Sequence, residues 1–340
     1  MASLMALARP LRLGAGIAIS LLMVWLLLRD VDLGEVGGTL GDADIRYLVP
    51  IALLFFARYW ARALRWQILV RHLKAVATRR ALPRVILGQA ANLTLPFGLG
   101  YVLMVQITAK KFHIGRRELF GAEAIERMMD GFVFALLLAL ALATITIGDG
   151  FTGLTAFMLF GAPAGLALAW LATRPRERSE ERAGLRGFPA RTLARPQIQP
   201  FLCGLRSIQN PAQTTPVLLL TLAVWLGEAL LYWAVAASLG IHVSFLVHIF
   251  VVAAANIGAG IPLAQASVGL AFLAKEALVA TGESADAAIA YAVGVEAIII
   301  LPSIVLAPLA AYDLRLGWRD VIPRFERAGA EPAIAATGPG

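Results

Sequence analysis

The 340-residue chain has one cysteine, Cys203, and four histidines, His72, His113, His242 and His248. A single cysteine excludes an intrachain disulfide and a cysteine-rich metal centre. None of the histidines stands at metal-ligand spacing from a second ligand, so they are expected in loops or at interfaces. There is no glycine-rich phosphate loop, nucleophile elbow or aspartate-rich run. No metal site, cofactor or catalytic residue is therefore expected. Lysine is confined to Lys74, Lys110, Lys111 and Lys275, and charged residues make up only 15% of the chain. A soluble domain of this size needs more polar surface.

Apolar residues fill the space that charge leaves. They are 59% of the sequence, and the mean hydropathy is +0.75. Apolar runs of about 20 residues recur, the signature of a polytopic helical membrane protein. The runs are continuous rather than alternating, which argues against a β-barrel. The net charge of +8 does not point to nucleic acid, because the basic residues gather in loops that flank apolar runs. That is the positive-inside pattern. Arginine dominance fits phosphate recognition, but a GC-rich coding sequence is the simpler reading. At the start, Arg9 and Arg12 precede an apolar core, and the acidic RDVDLGEV follows it. Without a small-x-small cleavage site, this reads as an uncleaved first helix.

The spans follow from charge. A first helix over 11–28 leads to an external loop with Asp30, Asp32, Glu35, Asp42 and Asp44. A second over 47–70 ends in a basic segment with Arg71, Lys74, Arg79, Arg80 and Arg84, which marks the cytoplasm. A third runs outward over 118–147, a fourth returns over 153–173, a fifth runs over 215–238 and a sixth over 287–312. The basic loop 174–214 and the tail with Arg315, Arg319, Arg324 and Arg327 are also cytoplasmic by this rule. Within the loop, QPFLCGLRSIQNP fits a short interfacial helix.

Two apolar segments do not fit as plain spans. NLTLPFGLG, Asn92 to Gly100, interrupts the run before the basic cluster Lys110, Lys111, Arg116 and Arg117. NIGAGIPLAQASVG, Asn256 to Gly269, interrupts the run 245–281. Each reads as a re-entrant hairpin, one over 82–109 from the cytoplasmic side and one over 245–281 from the outer side. Two full crossings in place of each hairpin would preserve the same outer topology. Broken backbone at membrane depth is tolerated only where protein or a polar cavity satisfies it.

The expected fold is thus an all-α polytopic membrane protein. It has about six full transmembrane helices and two oppositely oriented re-entrant helical hairpins, arranged as an inverted repeat. Residues 1–150 form the first repeat, 151–315 the second and 316–340 a cytoplasmic, partly disordered tail. Both termini are expected in the cytoplasm, with the chain in the cytoplasmic membrane. Paired Gly/Pro-interrupted segments in corresponding halves point to a transporter's central site.

Charged residues inside such spans are candidates for function. Glu126 and Asp130 share a face at i,i+4, with Arg127 between them; Glu123 and Arg127 also pair at i,i+4. A structural charge network and a substrate site are both open readings. Arg58 lies deep in its span and Glu228 midway in its own, so an ion pair between them is expected, either structural or for transport. Arg65 and Arg62 are expected to snorkel to the cytoplasmic face. Glu296 is a further deep carboxylate, and Lys275 with Glu276 is expected at the interface. At the hairpin turns, Asn92, Pro96, Gly98 and Gly100, and Asn256, Gln265 and Ser267, can line an anion site at helix N-termini. Alternatively, the glycines serve only close helix packing.

The motifs NLTLPFGLG, EAIERMMDG, FLCGLRSIQNP, WLGEALLYWAVAASLGI and GIPLAQASVG resemble, in order and spacing, the lysylphosphatidylglycerol synthase/flippase transmembrane family. Its best-known members are the membrane halves of multiple peptide resistance factors, and the resemblance covers roughly 12–315. The family's Asn-x-x-x-Pro-x-x-x-Gly element falls on Asn92, Pro96 and Gly100, and its Glu-Arg-x-x-Asp element on Glu126, Arg127 and Asp130. Its second Pro-Gly hairpin falls on Pro262 and Gly269. Tyr101 stands where an acidic residue often follows the first glycine.

The resemblance implies lipid translocation between leaflets, or membrane support for lipid-linked modification, with a phospholipid or lipid-linked substrate as partner. An enzyme partner or a homo-oligomer is compatible with it. The aminoacyl-transfer domain of the full-length proteins is soluble, and no part of this sequence fits it, so synthesis of lysyl-lipid by this chain alone is not expected. Two other classes stay open: a secondary transporter of a small solute or ion, and a membrane partner of an envelope-lipid enzyme.

Overall fold

The computed structural model describes residues 32–95, 99–142, 199–205, 211–259 and 266–316, with isolated positions at 22, 25, 156, 160, 161, 163–165, 167 and 168. Apart from those isolated positions, the first and fourth expected spans lie outside the described residues, as do the turn at Pro96 and Gly98, Pro262, Gln265 and the tail beyond 316. Every regular element among the described residues is helical.

The helices are α1 (Leu33–Gly41), α2 (Leu48–Val70), α3 (Thr78–Thr94), α4 (Leu99–Phe112), α5 (Arg116–Leu142), α6 (Gln199–Leu205), α7 (Pro211–Ser238), α8 (Phe245–Ala259), α9 (Ala266–Val279) and α10 (Ala285–Asp313). Among the described residues, three stretches are long and apolar enough to cross a membrane: Ile45–Val70, Ala212–Ser238 and Ala285–Asp313. Their outward faces carry large apolar side chains in the open, such as Leu53, Phe56 and Trp60 on α2 and Leu301, Val305 and Leu309 on α10. Water would penalise such a surface, whereas lipid tails do not. The chain is a multi-pass α-helical membrane protein.

The expected external loop contains a helix, α1. Four glycines lower its intrinsic helicity, so tertiary anchors hold it. Asp32 caps it by accepting from the amides of Gly34 and Glu35, while its own amide donates to Asp286 Oδ1 at 2.8 Å, at the start of α10.

α2 and α7 pack antiparallel. The Asp44 amide donates to the Ser238 carbonyl at 2.8 Å, Arg58 meets Glu228, and Arg65 meets Thr221. As one chain ascends, the other descends. The broken segments form helix pairs. α3 and α4 have 17 and 14 residues, and α8 and α9 have 15 and 14. At about 1.5 Å per residue each arm is roughly 21–26 Å long, short of a hydrocarbon core of about 30 Å.

Small residues set the closest approaches. Gly100, in the first turn of α4, lies so near the end of α3 that a Cβ there would run into the Asn92 side chain and the backbone of Ala91 and Asn92. Gly204 of α6 sits against the Glu118 carbonyl and Gly121 of α5 in the same way. The short helix expected within QPFLCGLRSIQNP, residues 199–211, forms as α6 and is therefore seated on α5.

Candidate functional site

The site grows from two helix faces. On α2, Arg58, Arg62 and Arg65 recur at i, i+4 and i+7, so they project from one side. On α7, Thr221, Trp225 and Glu228 have the same spacing. Antiparallel packing lays the two stripes against each other. Arg58 lies about 15 Å from the start of α2 and Glu228 about 15 Å from the end of α7. Both therefore sit near mid-span.

Glu228 is the hub of the deeper half. Arg58 Nη1 lies 2.6 Å from its Oε2, and the two side chains are 2% and 4% exposed. Arg62 Nη2 donates to the same oxygen at 3.3 Å, and Asn256 Nδ2 of α8 donates to Oε1 at 3.3 Å. Arg62 also donates to Gln89 Oε1 of α3 at 3.3 Å and lies over the Trp225 ring. Both broken helix pairs thus contribute a carboxamide to one ion cluster: Gln89 from the first, Asn256 from the second. In a low-dielectric interior such a pair is favourable only when its remaining hydrogen-bonding groups are also met.

The second half centres on Arg65. It donates to Asp130 Oδ1 and Glu126 Oε1, each at 2.5 Å, and to Thr221 Oγ1 at 3.2 Å. The Trp225 indole donates to Asp130 Oδ1 at 2.9 Å. Arg127 approaches Asp130 Oδ2 at 3.7 Å, keeps half its side chain exposed, and stacks over Tyr101 of α4 at 4.4 Å. Beyond this, Glu123 accepts from Arg84 of α3 and from the Trp66 indole. Arg84 reaches Thr108 of α4 at 3.4 Å and lies over the Trp66 ring.

The expected Arg58–Glu228 pair is present, and the structure unites Asp130 with Glu126 through Arg65. Several expectations are corrected. Arg65 does not snorkel; its side chain is 2% exposed, because two carboxylates on α5 neutralise it in place. Arg62 turns inward as well, toward the Glu228 carboxylate of α7. Glu123 pairs with Arg84 rather than with Arg127, so Arg84 belongs to the interior and not to the basic cytoplasmic segment. Lys275 is buried, whereas its neighbour Glu276 stays substantially exposed. His248 is fully buried rather than in a loop.

Asn92 and Gly100 come together, and Asn92 Oδ1 is buried with no hydrogen-bond partner among the described residues. Ser267 is buried in the first turn of α9, with Gly269 buried beside it. Glu296 stands apart from the ion cluster, and its Oε1 has no partner among the described residues. Sequence reasoning missed Gln89, Thr221 and Trp225. The i, i+4, i+7 spacing that leads from Glu228 back to Trp225 and Thr221 was the available signal. Among the described residues no group of three His, Cys, Asp or Glu side chains is placed to hold a metal ion.

Comparison with known proteins sets this geometry in a family. The glycosyltransferase AglD of Haloferax volcanii is 23% identical over 298 residues, which cover 78% of this chain and 48% of AglD. The chain thus spans about half the length of this curated relative. No solved structure matches. Residues 14–307 match the family described as the lysylphosphatidylglycerol synthase TM region, and the chain belongs to that family.

Proposed function

We propose that the protein is a lipid translocase of the cytoplasmic membrane. It moves an anionic or headgroup-modified phospholipid, or a lipid-linked intermediate, between leaflets. One observation carries this reading: Gln89 and Asn256, one from each broken helix pair, both reach the Arg62–Glu228 cluster. A polar centre at mid-span, built by two interrupted segments, suits a charged headgroup that must cross while its tails stay in lipid. Broken backbone is tolerated at that depth when it lines such a centre.

In this reading α3/α4 and α8/α9 are re-entrant hairpins that enter from opposite faces. α2–α5 and their counterparts α7–α10 form the inverted repeat, with α2 equivalent to α7. Arg127 is the headgroup contact on the cytoplasmic side, since it alone among the site's arginines keeps half its side chain open. Asp130 and Glu126 hold it and Arg65 in place. Asn92 and Ser267, at the ends of the broken helices, offer further polar contacts near mid-membrane. Rocking of one repeat against the other alternates access. The family description and the AglD match both concern proteins that build membrane lipids or glycans, which supports a lipid substrate.

The test is leaflet-resolved exchange of fluorescent phosphatidylglycerol in proteoliposomes of the purified chain. Exchange well above protein-free vesicles is expected; none above that background refutes the reading. Topology is tested separately by single-cysteine labelling after Cys203→Ser. Positions 80 and 110, both exposed, should label from one side, and 244 and 281 from the other. Labelling that separates either pair overturns the hairpins.

A further inference from the structure

The ion cluster does not balance in charge, and the imbalance is local. Five guanidinium groups, those of Arg58, Arg62, Arg65, Arg84 and Arg127, face four carboxylates, those of Glu123, Glu126, Asp130 and Glu228. Around α5 the charges cancel: Arg84 pairs with Glu123, while Arg65 and Arg127 share Glu126 and Asp130. Around α7 they do not. Glu228 meets both Arg58 and Arg62 on the same oxygen, and among the described residues no second carboxylate pairs with either arginine. Gln89 and Asn256 add only neutral amides. Arginine does not shed its proton in a protein, so one positive charge is left over. Protonating any of the carboxylates would enlarge the surplus.

The surplus is most open at Arg62, whose side chain is 17% exposed against 2% for Arg58. A guanidinium has five N–H donors. Arg62 uses Nη1 toward Gln89 and Nη2 toward Glu228, and its Nε is buried with no hydrogen-bond partner among the described residues. The Trp225 ring covers one face of the group, which leaves the edge. That edge, an Nε–H beside an Nη–H, is the fork that fits two oxygens of a carboxylate or phosphate. Arg58 Nε is buried without a partner in the same way. Unmatched donors and an unpaired charge are both costly in a low-dielectric interior, and one bound anion answers both.

We propose that Arg62 is an oxyanion site, one helical turn from mid-span, for a lipid phosphodiester of one net negative charge. Its Nε/Nη edge takes two phosphate oxygens, and the ligand joins Glu228 in neutralising Arg58 and Arg62. The match is selective. A headgroup with one amine beside its phosphate is neutral, and one with two amines, as in lysyl-phosphatidylglycerol, is a cation; neither cancels the surplus. A lipid diphosphate brings two negative charges and overshoots it. Phosphatidylglycerol and lipid-phosphate sugars meet the requirement. The lipid source of the ligand rests on the translocase reading; the anion site itself does not. In that reading Arg127, balanced by Asp130, serves entry, and Arg62 serves the crossing.

Thermal unfolding of the purified full chain in uncharged detergent, with short-chain lipids added, tests the site. Dihexanoyl-phosphatidylglycerol should raise Tm saturably. Arg62→Gln should weaken its binding by about 10–100-fold, the range for hydrogen bonds to a charged group, and zwitterionic dihexanoyl-phosphatidylcholine should bind wild type more weakly by a similar factor. Arg62→Lys, which keeps the charge but not the fork, should fall between wild type and Arg62→Gln. Arg80→Gln, at an exposed arginine, should leave affinity unchanged. Without ligand, Arg62→Gln should melt no lower than wild type, because it removes the surplus cation. Equal affinity for the two lipids, unchanged affinity in Arg62→Gln, an equal loss in Arg80→Gln, or a ligand-free Arg62→Gln that melts well below wild type overturns the site. Equal affinity for the tail-less glycerophosphoglycerol keeps the anion site and overturns its lipid source. Binding as expected with no lipid exchange in proteoliposomes overturns the translocase reading alone.

Discussion

Glu228→Gln removes one charge from a site that holds two guanidinium groups. Arg58 would keep a 2% exposed side chain beside Arg62, with no carboxylate between them. Removing one partner of a buried pair costs about 3–5 kcal/mol. The upper half of that range applies, because the loss also sets two cations against each other. Arg58→Met should cost less, about 1–3 kcal/mol, since Glu228 keeps Arg62 and Asn256. The double variant Arg58→Met with Glu228→Leu should recover most of the stability, as buried pairs replaced by apolar side chains often do. Unfolding in mixed micelles by a denaturing-detergent titration gives the three values. An order of Glu228→Gln worst, Arg58→Met intermediate and the double variant near wild type is expected. A Glu228→Gln loss below about 1 kcal/mol, the scale of an exposed pair, would refute the buried-hub argument. The double variant should still fail in lipid exchange. Full exchange from it would mean that the pair serves stability alone.

Asp130→Asn should cost about 3–5 kcal/mol, because Asp130 meets Arg65, Trp225 and Arg127. Glu126→Gln should cost only about 1–2 kcal/mol, because Arg65 keeps Asp130 and Thr221. The same titration separates them, and both should slow lipid exchange. Gly100→Ala should destabilise by about 1–3 kcal/mol through overpacking against Asn92. Asn92→Ala, which removes an unpartnered oxygen, should leave stability within about 1 kcal/mol of wild type yet reduce exchange. At the membrane surface, the Arg46 guanidinium hydrogen-bonds Asp44 and holds its carboxyl below the usual carboxylate range. The order it confers on the Ile45–Tyr47 turn is therefore present at neutral pH and lost as pH falls through that lowered value. Amide exchange at Arg46 should accelerate only in strong acid.

Much of the architecture was legible in the order of residues. The long apolar helices α2, α7 and α10 begin and end within a few residues of the expected spans, because composition sets where a helix can meet lipid. The interruptions near Asn92 and Asn256 were visible for a related reason: proline and glycine break hydrogen-bond ladders locally. The Arg58–Glu228 pair followed from a deep arginine and a mid-span glutamate on the two helices expected to be equivalents in the repeat. Only the folded chain decided the rest. Whether Arg65 reaches water or a carboxylate depends on which helix stands opposite, and α5 places Asp130 and Glu126 there. The same holds for Glu123, which local i,i+4 spacing offered to Arg127 but packing gave to Arg84. His248 showed no sign of burial, since its shell comes from Tyr291, more than forty positions along the chain. Helix formation and membrane burial are sums over neighbouring residues, which a sequence displays. Charge pairing is a meeting of distant ones, which only the tertiary arrangement fixes.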